Sequence, residues 1–279
     1  MKTILRGKSK EVEINTGGPV VIIGESINPT RRKKLVETLS AHNFDYVHQL
    51  ARQQIEAGAE VLDVNVGYPG VDDESLLPET IASLQDHFDI PLCLDSPNPK
   101  AIEAALKIAV GKPLINSVNG EEKSLQAILP MVKEYGAAII GLVMDDAGIT
   151  HDPEKRFRIA EKIVERAVSM GIRQEDVIID PMAMAVSADP NACLVTLETI
   201  QLVHDRLGMN ITQGASNISF GLPGREVLND AYMALSIWNG LTCPIANPMK
   251  ITALVRAADL VMARDEYAMR YVEFFTNPS

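Results

Sequence analysis

Short runs of consecutive apolar residues alternate along the chain with longer stretches whose apolar residues recur every three or four positions. The runs at 20–27, 61–67, 91–96, 113–118, 137–145, 177–182, 210–219 and 244–247 are mostly Val, Ile and Leu. That is the pattern of strands buried on both faces. Between them, 44–59, 99–110 and 153–170 read as helices. In the last, Phe157, Ala160, Ile163, Val164, Ala167 and Val168 form one apolar stripe, with Asp152 as N-cap and Pro153 as first residue. Pro130 is expected to kink or break the helix that follows Ser124, because proline removes a helical donor.

Strand-helix alternation implies a parallel sheet with right-handed crossovers. Eight units without a compositional break predict a single-domain α/β fold, a closed (β/α)₈ (TIM) barrel, over 20–279. The first strand-helix junction, Gly24-Glu25-Ser26-Ile27-Asn28, lacks the GxGxxG of an open dinucleotide-binding sheet. Residues 1–19 read as a hairpin, 2–5 and 11–14 around Gly7-Lys8-Ser9. It is expected either to cap the barrel's N-terminal mouth or to form a loose extension.

Charge and cysteine usage narrow the function classes. The 26 Lys+Arg against 37 Asp+Glu give a net −11, which argues against a nucleic-acid footprint. No apolar stretch approaches the roughly 20 residues of a membrane span, and the N-terminus lacks the apolar run of a signal peptide. Cys93, Cys193 and Cys243 are scattered, without a CxxC pair. They read as buried packing in a reducing, cytoplasmic protein rather than as a disulfide or zinc framework.

The ends of the apolar runs carry the chemistry. They terminate in Glu25-Ser26-Ile27-Asn28, Asp63-Val64-Asn65-Val66-Gly67, Asp95-Ser96, Asn116-Ser117-Val118-Asn119, Asp180-Pro181 and Ser216-Asn217-Ile218-Ser219. In a closed barrel these ends share the rim where catalytic residues sit. One buried polar residue is usually satisfied structurally, but six strands converging Asp, Asn, Ser and Glu on one mouth point to a ligand. The set lacks the His, Cys and carboxylate combination of a catalytic zinc, a strand-borne Lys, and a His to activate a Ser. The five histidines fall in helices or connections and read as surface residues. What remains, carboxylates and amides, suits a planar heterocycle such as a pterin. A carboxylate accepts the pterin 2-amino group and N3–H as a bidentate pair, and asparagines match its mixed edges.

These residues also resemble a family. Asp95 in Leu92-Cys93-Leu94-Asp95-Ser96, Asn116 in Ile115-Asn116-Ser117 and Asp180 in Ile179-Asp180-Pro181 are similar to positions of the methyltetrahydrofolate:corrinoid methyltransferases. So are Asp63-Val64-Asn65-Val66-Gly67 and the segment Gly214-Ala215-Ser216-Asn217-Ile218-Ser219-Phe220-Gly221-Leu222-Pro223-Gly224-Arg225. The group includes the folate domain of cobalamin-dependent methionine synthase, and the resemblance runs from Val20 to the C-terminal helix. It implies that Asp95, Asn116 and Asp180 clasp the pterin and that Asn217 reaches N5 as its protonation changes. Gly214, Ser216 and Arg225 would belong to the ligand-facing wall, and Asn65 to the rim. Phe220 follows the methionine-synthase-like pattern, where the corrinoid/iron–sulfur protein methyltransferases usually carry Gln.

The implied substrate is tetrahydrofolate or 5-methyltetrahydrofolate, with no protein-bound metal. The corrinoid nucleophile, cob(I)alamin, would arrive on a partner protein, since the chain lacks an Asp-x-His-x-x-Gly corrinoid signature. Protonation or hydrogen bonding at N5 would let the pterin leave as a neutral amine, a general-acid effect typically worth about 10²–10⁴-fold. An amide does not titrate, so Asn217 would orient N5 and a proton arriving from solvent.

Two alternatives stand beside this reading. Dihydropteroate synthase shares the barrel and clasp, but would bring a Gly-Gly-Glu-Ser-Thr-Arg-Pro-Gly-like loop after the second strand, a strand-seven Lys and a strand-eight Arg-x-His. None of these is present in the corresponding runs. The other is a catalytically silent pterin-binding protein. Met144, Met182 and Met184 are read as packing near the rim, and Asp145-Asp146 either as a partner contact or as a helix cap. Glu25 reads either as part of the pocket floor or as a structural group. The family also implies a homodimer, with 233–238 or 248–275 contributing.

Overall fold

The computed structural model describes residues 1–276, so positions 277–279 of the expected barrel lie outside the described residues. The hairpin is present: β1 (Lys2–Arg6) pairs antiparallel with β2 (Glu11–Asn15). Eight parallel strands follow. They are β3 (Ile23–Ile27), β4 (Val61–Asn65), β5 (Leu92–Asp95), β6 (Leu114–Asn119), β7 (Ala138–Leu142), β8 (Val177–Asp180), β9 (Asn210–Ile211) and β10 (Ile245–Ala246). Each neighbours the next in chain order, and β10 pairs with β3. Backbone bonds from Thr242 N to Ile211 O (3.0 Å) and Ile245 N to Gln213 O (3.0 Å) close the ring.

The outer ring is α1 (Lys33–Ser40), α2 (Asp45–Glu56), α3 (Asp73–His87), α4 (Pro99–Leu106), α5 (Glu122–Tyr135), α6 (Pro153–Ser169), α7 (Ala192–Leu207), α8 (Arg225–Trp238) and α9 (Pro248–Val261). A last helix, α10 (Met269–Thr276), packs on α9. Asp152 caps α6 as expected, its side chain accepting from Glu154 N (3.0 Å) and Lys155 N (3.3 Å). Val168 departs from the expected stripe and faces solvent. It follows Ala167 by one residue, which turns its side chain about 100° away from the core.

Two expectations are corrected by packing. α5 runs unbroken through Pro130, because Leu125, Ile128, Leu129 and Val132 are buried against the sheet and outweigh one lost bond. The seventh expected strand, 210–219, contracts to Asn210–Ile211; its remainder bends into a 3₁₀ turn over Ala215–Ser219. Among the thiols, Cys93 and Cys243 are buried, while Cys193 on α7 is only half-buried.

The alternation of strand side chains divides the interior. Outward-facing Leu62, Val64, Leu92, Leu94, Ile115, Ile139 and Ile179 pack with the helices in one apolar cluster. Inward-facing Ile23, Val61, Cys93, Leu114, Ala138, Ile140 and Ile178 form a second. Leu5, Val12 and Ile14 of the hairpin join that inner cluster. The hairpin therefore plugs the N-terminal end of the barrel with its apolar face, its period-two burial pattern being that of a half-buried sheet. Two residues further along each strand, the same inward parity places Glu25, Asp63, Asp95, Asn116 and Asp180 at the opposite end.

Candidate active site

Those side chains surround a mouth cavity of about 500 Å³, the size range of small-molecule sites. Its lining brings together Asp95, Asn116, Asp180, Asn217, Gly214, Ser216 and Arg225, with Glu25, Asp63 and Arg32 beside them and Leu142, Met182 and Ile245 as apolar wall. Asn65 does not line it. Its amide instead donates to Asp95 Oδ2 (2.9 Å) while its carbonyl oxygen accepts from Gly67 N (2.7 Å), so it fixes Asp95 from behind.

Local sequence explains each placement. Gly24 lets Gln54 approach β3, where an added Cβ would lie 2.5 Å from Gln54 Oε1. That oxygen accepts from Ser26 N (2.7 Å), and the pairing of β3 with β4 shifts register between Gly24 and Ile27, the segment from which Glu25 enters the mouth. Asn116 begins a second irregularity, between Asn116 and Val118 of β6, and its peptide bond to Ser117 is cis. Gly214 leaves room for the Asn217 side chain, whose Nδ2 would sit 3.0 Å from a Cβ there. Arg225 clamps the Asn217 turn, donating from Nη2 to Ser216 O (2.8 Å) and from Nε to Ser219 Oγ (2.9 Å). Arg156, fully buried, donates from Nε to Thr150 O (2.7 Å) and from Nη1 to Pro181 O (2.8 Å) and Met182 O (3.1 Å). It thereby holds the loop after Asp180. Met182 N donates to Asp180 Oδ1 (2.7 Å), tying back one carboxylate oxygen.

Burial governs the electrostatics. It pushes Asp180 up to about 7, opposed by the Met182 amide and the Arg156 charge. Asp63 and Asp95 are a tightly coupled pair whose carboxyls are both raised by burial. Asp63 is the more strongly raised, since the charge of Asp95 adds to its burial, although Asn116 Nδ2 donates to it (3.2 Å). Asp95 is relieved by the Asn65 and Asp63 side chains. Two buried carboxyls this close disfavour being ionised together, so the pair holds a proton more readily than ordinary carboxylates do.

Asp63 was passed over by sequence reasoning, which favoured Asn65 two residues on. Both share the inward parity of β4, but Asp63 lies at cavity depth. None of the histidines lines the mouth; His42, for example, meets Glu79 (2.6 Å) and His151 meets Asp189 (2.6 Å). Among the described residues no group of His, Cys, Asp and Glu is arranged to hold a metal ion.

An acceptor-rich, partly neutral cavity on a barrel's C-terminal face admits a flat heterocycle held by its edge, and residues 24–247 match the family of pterin binding enzymes. The chain belongs to that family. It lies among its methyltransferases: a methylcorrinoid:tetrahydrofolate methyltransferase of Eubacterium limosum is 30% identical over 267 residues, 92% of this chain and 96% of that protein. A methionine synthase of Mycobacterium tuberculosis is 28% identical over 250 residues, 85% of this chain but 21% of that longer protein. The family fold recurs in a Yersinia pestis dihydropteroate synthase with a pterine-sulfa conjugate, at TM-score 0.72 and 17% identity, covering 94% of this chain and 99% of that one.

Proposed function

We propose that this chain holds tetrahydrofolate by its pterin ring in the mouth cavity and moves a methyl group between N5 and the cobalt of a corrinoid carried by another protein. The observation that carries this reading is the meeting of Asp95, Asn116, Asp180 and Asn217 at one cavity. The E. limosum relative, matched over nearly its whole length, supports the same reaction. In this reading Asp95 and Asp180 accept from the 2-amino and N3–H edge, and Asn116 supplies both a donor and an acceptor. Unpaired polar atoms here would cost about 1–3 kcal/mol each, so the clasp confers specificity for the ring. Asn217, held by the Arg225-clamped turn, orients N5. Asn65 and Asp63 position Asp95 rather than bind. The corrinoid supplies a strongly nucleophilic cobalt when bound; the chain supplies orientation and a site where N5 becomes a competent leaving group.

Mixing the protein anaerobically with methyltetrahydrofolate and cob(I)alamin should produce the absorbance of methylcobalamin. Pterin binding without any turnover would instead identify a silent binding protein. The runs ending at Ile211 and Ala246 bring no Lys or Arg-x-His to the mouth, which disfavours dihydropteroate synthesis.

Two further parts of the reading concern the setting. A second copy of the chain is expected to cover exposed apolar side chains of the C-terminal helices, such as Val227, Leu235 and Trp238 of α8, with Trp238 72% exposed. Sedimentation should give a dimer that Trp238→Glu weakens; a wild-type monomer at micromolar concentration sinks this part. The cytoplasm is the expected compartment, in keeping with three free cysteines. Among the described residues no helix is long and apolar enough to cross a membrane.

A further inference from the structure

Glu25 is the ionisable mouth residue that the pterin clasp leaves without a task. It lines the 500 Å³ cavity together with Asn217, and it also lines a second cavity of about 310 Å³. The two spaces share Glu25 and Ser216, so these side chains form the partition between them. The second cavity is walled by Glu226, Asn229 and Asp230 of α8 and by Asn247 and Lys250 at the start of α9. Its wall is mixed: Glu226 and Asp230 are its acids and Lys250 its cation, with Ala215, Met233 and Ile251 among its apolar residues. The Glu25 carboxylate accepts one long hydrogen bond, from Ser216 Oγ (3.4 Å). Glu25 is half-buried, and a carboxyl so weakly tied, with room for water on both sides, is poorly explained as a structural group.

The proposed reaction requires a proton at this place. When the methyl group leaves, the N5–carbon bond breaks, the electron pair stays on N5, and a carbon–cobalt bond forms. N5 must then gain one proton to become the neutral amine. Asn217 cannot supply it, and in this reading Asp95 and Asp180 face the ring's donor edge while Asp63 is engaged with Asp95 and Asn116.

We infer that Glu25 is the acid–base residue of the transfer, passing a proton between the side cavity and N5. Resting on the methyltransferase reading, this names the group that reading leaves open. In the demethylating direction the Glu25 carboxyl gives its proton to N5, and its carboxylate regains one from water in the side cavity. In the methylating direction the carboxylate takes the N5 proton and releases it the same way. Burial raises the Glu25 carboxyl, opposed by the charges of Arg32, Arg225 and Lys250 and by Ser216. The other carboxyls that face this region are Asp63 on β4 and Glu226 and Asp230 on α8, with Glu226 paired to Lys250 (2.6 Å). A raised carboxyl is better matched to proton exchange near neutral pH than an ordinary one.

The test is single-turnover transfer at saturating pterin, in both directions and across pH, for the wild type, Glu25→Gln and Glu25→Asp, with pterin affinity measured in parallel by calorimetry. In the wild type the demethylating rate should fall, and the methylating rate rise, as pH passes the raised Glu25 value. Glu25→Gln should slow both by about 10²-fold or more and flatten both limbs, while pterin affinity changes by less than about threefold. Glu25→Asp should keep opposed limbs at a reduced rate. Transfer by the Gln variant at the wild-type rate and with the wild-type profile would overturn the inference. If that variant does not fold, the absence of opposed limbs in the wild type overturns it equally. Failure of the wild type to transfer methyl groups at all speaks against the methyltransferase reading instead, and affinity for the pterin separates the two outcomes.

Discussion

Asp180 concentrates the tension of the site in one residue. Its carboxyl is buried, held at about 7, and has one oxygen tied to Met182 N at 2.7 Å. A raised folded value means that the proton is retained in the free protein and that ionisation opposes folding. Its contribution to stability is complete below the ordinary carboxyl range and fades as pH rises toward 7. A pterin edge presenting two donors reverses the preference, because it needs the carboxylate. Pterin affinity is therefore expected to rise by up to tenfold per pH unit below about 7 and level off above it. Asp180→Asn should weaken binding and remove that slope. Calorimetric titration between mild acid and mild base decides it, and an affinity independent of pH in the wild type contradicts the assignment. Asp95, Asn116 and Asp180 were legible in the sequence because each closes an apolar run. Asp63 was not. A period of two puts positions 63 and 65 on the same face, but only the barrel's depth tells which reaches the cavity.

At the level of elements, the barrel separates support from chemistry along each strand. The inward layer nearest the N-termini packs on the β1–β2 hairpin, and the next layer faces the ligand. Leu5 is fully buried within that plug. Leu5→Ala should lower the unfolding free energy by about 2–5 kcal/mol, measured by urea denaturation, and leave pterin affinity unchanged. A large loss of affinity would contradict the independence of plug and mouth. All eight strands were legible as runs of Val, Ile and Leu, though most end earlier than their apolar run does. Apolar residues continue past the last ladder bond because the loops are also packed: Val66, Val143 and Ile218 are buried. The contraction of β9 has a local reason. The 3₁₀ turn that presents Asn217 consumes residues the hydrophobic pattern alone assigns to a strand, and its clamp, Arg225, comes from the following helix. Pro130 illustrates the reverse case, a local breaker overridden by the buried face of α5.

Over the whole molecule, the closed barrel makes the site a consequence of topology. Strands β3 to β8 end on one rim, so carboxylates and amides far apart in sequence meet at a cavity without any one loop arranging them. The bottom is sealed by the hairpin, which leaves the mouth cavity at the opposite end. Whether this mouth grips a pterin edge-on is decided by a crystal of the protein with methyltetrahydrofolate. The ring is expected inside the cavity, its 2-amino and N3–H edge against Asp95 and Asp180 and its N5 beside Asn217. A ring bound elsewhere, or bound in the mouth with N5 turned away from Asn217, would contradict that placement.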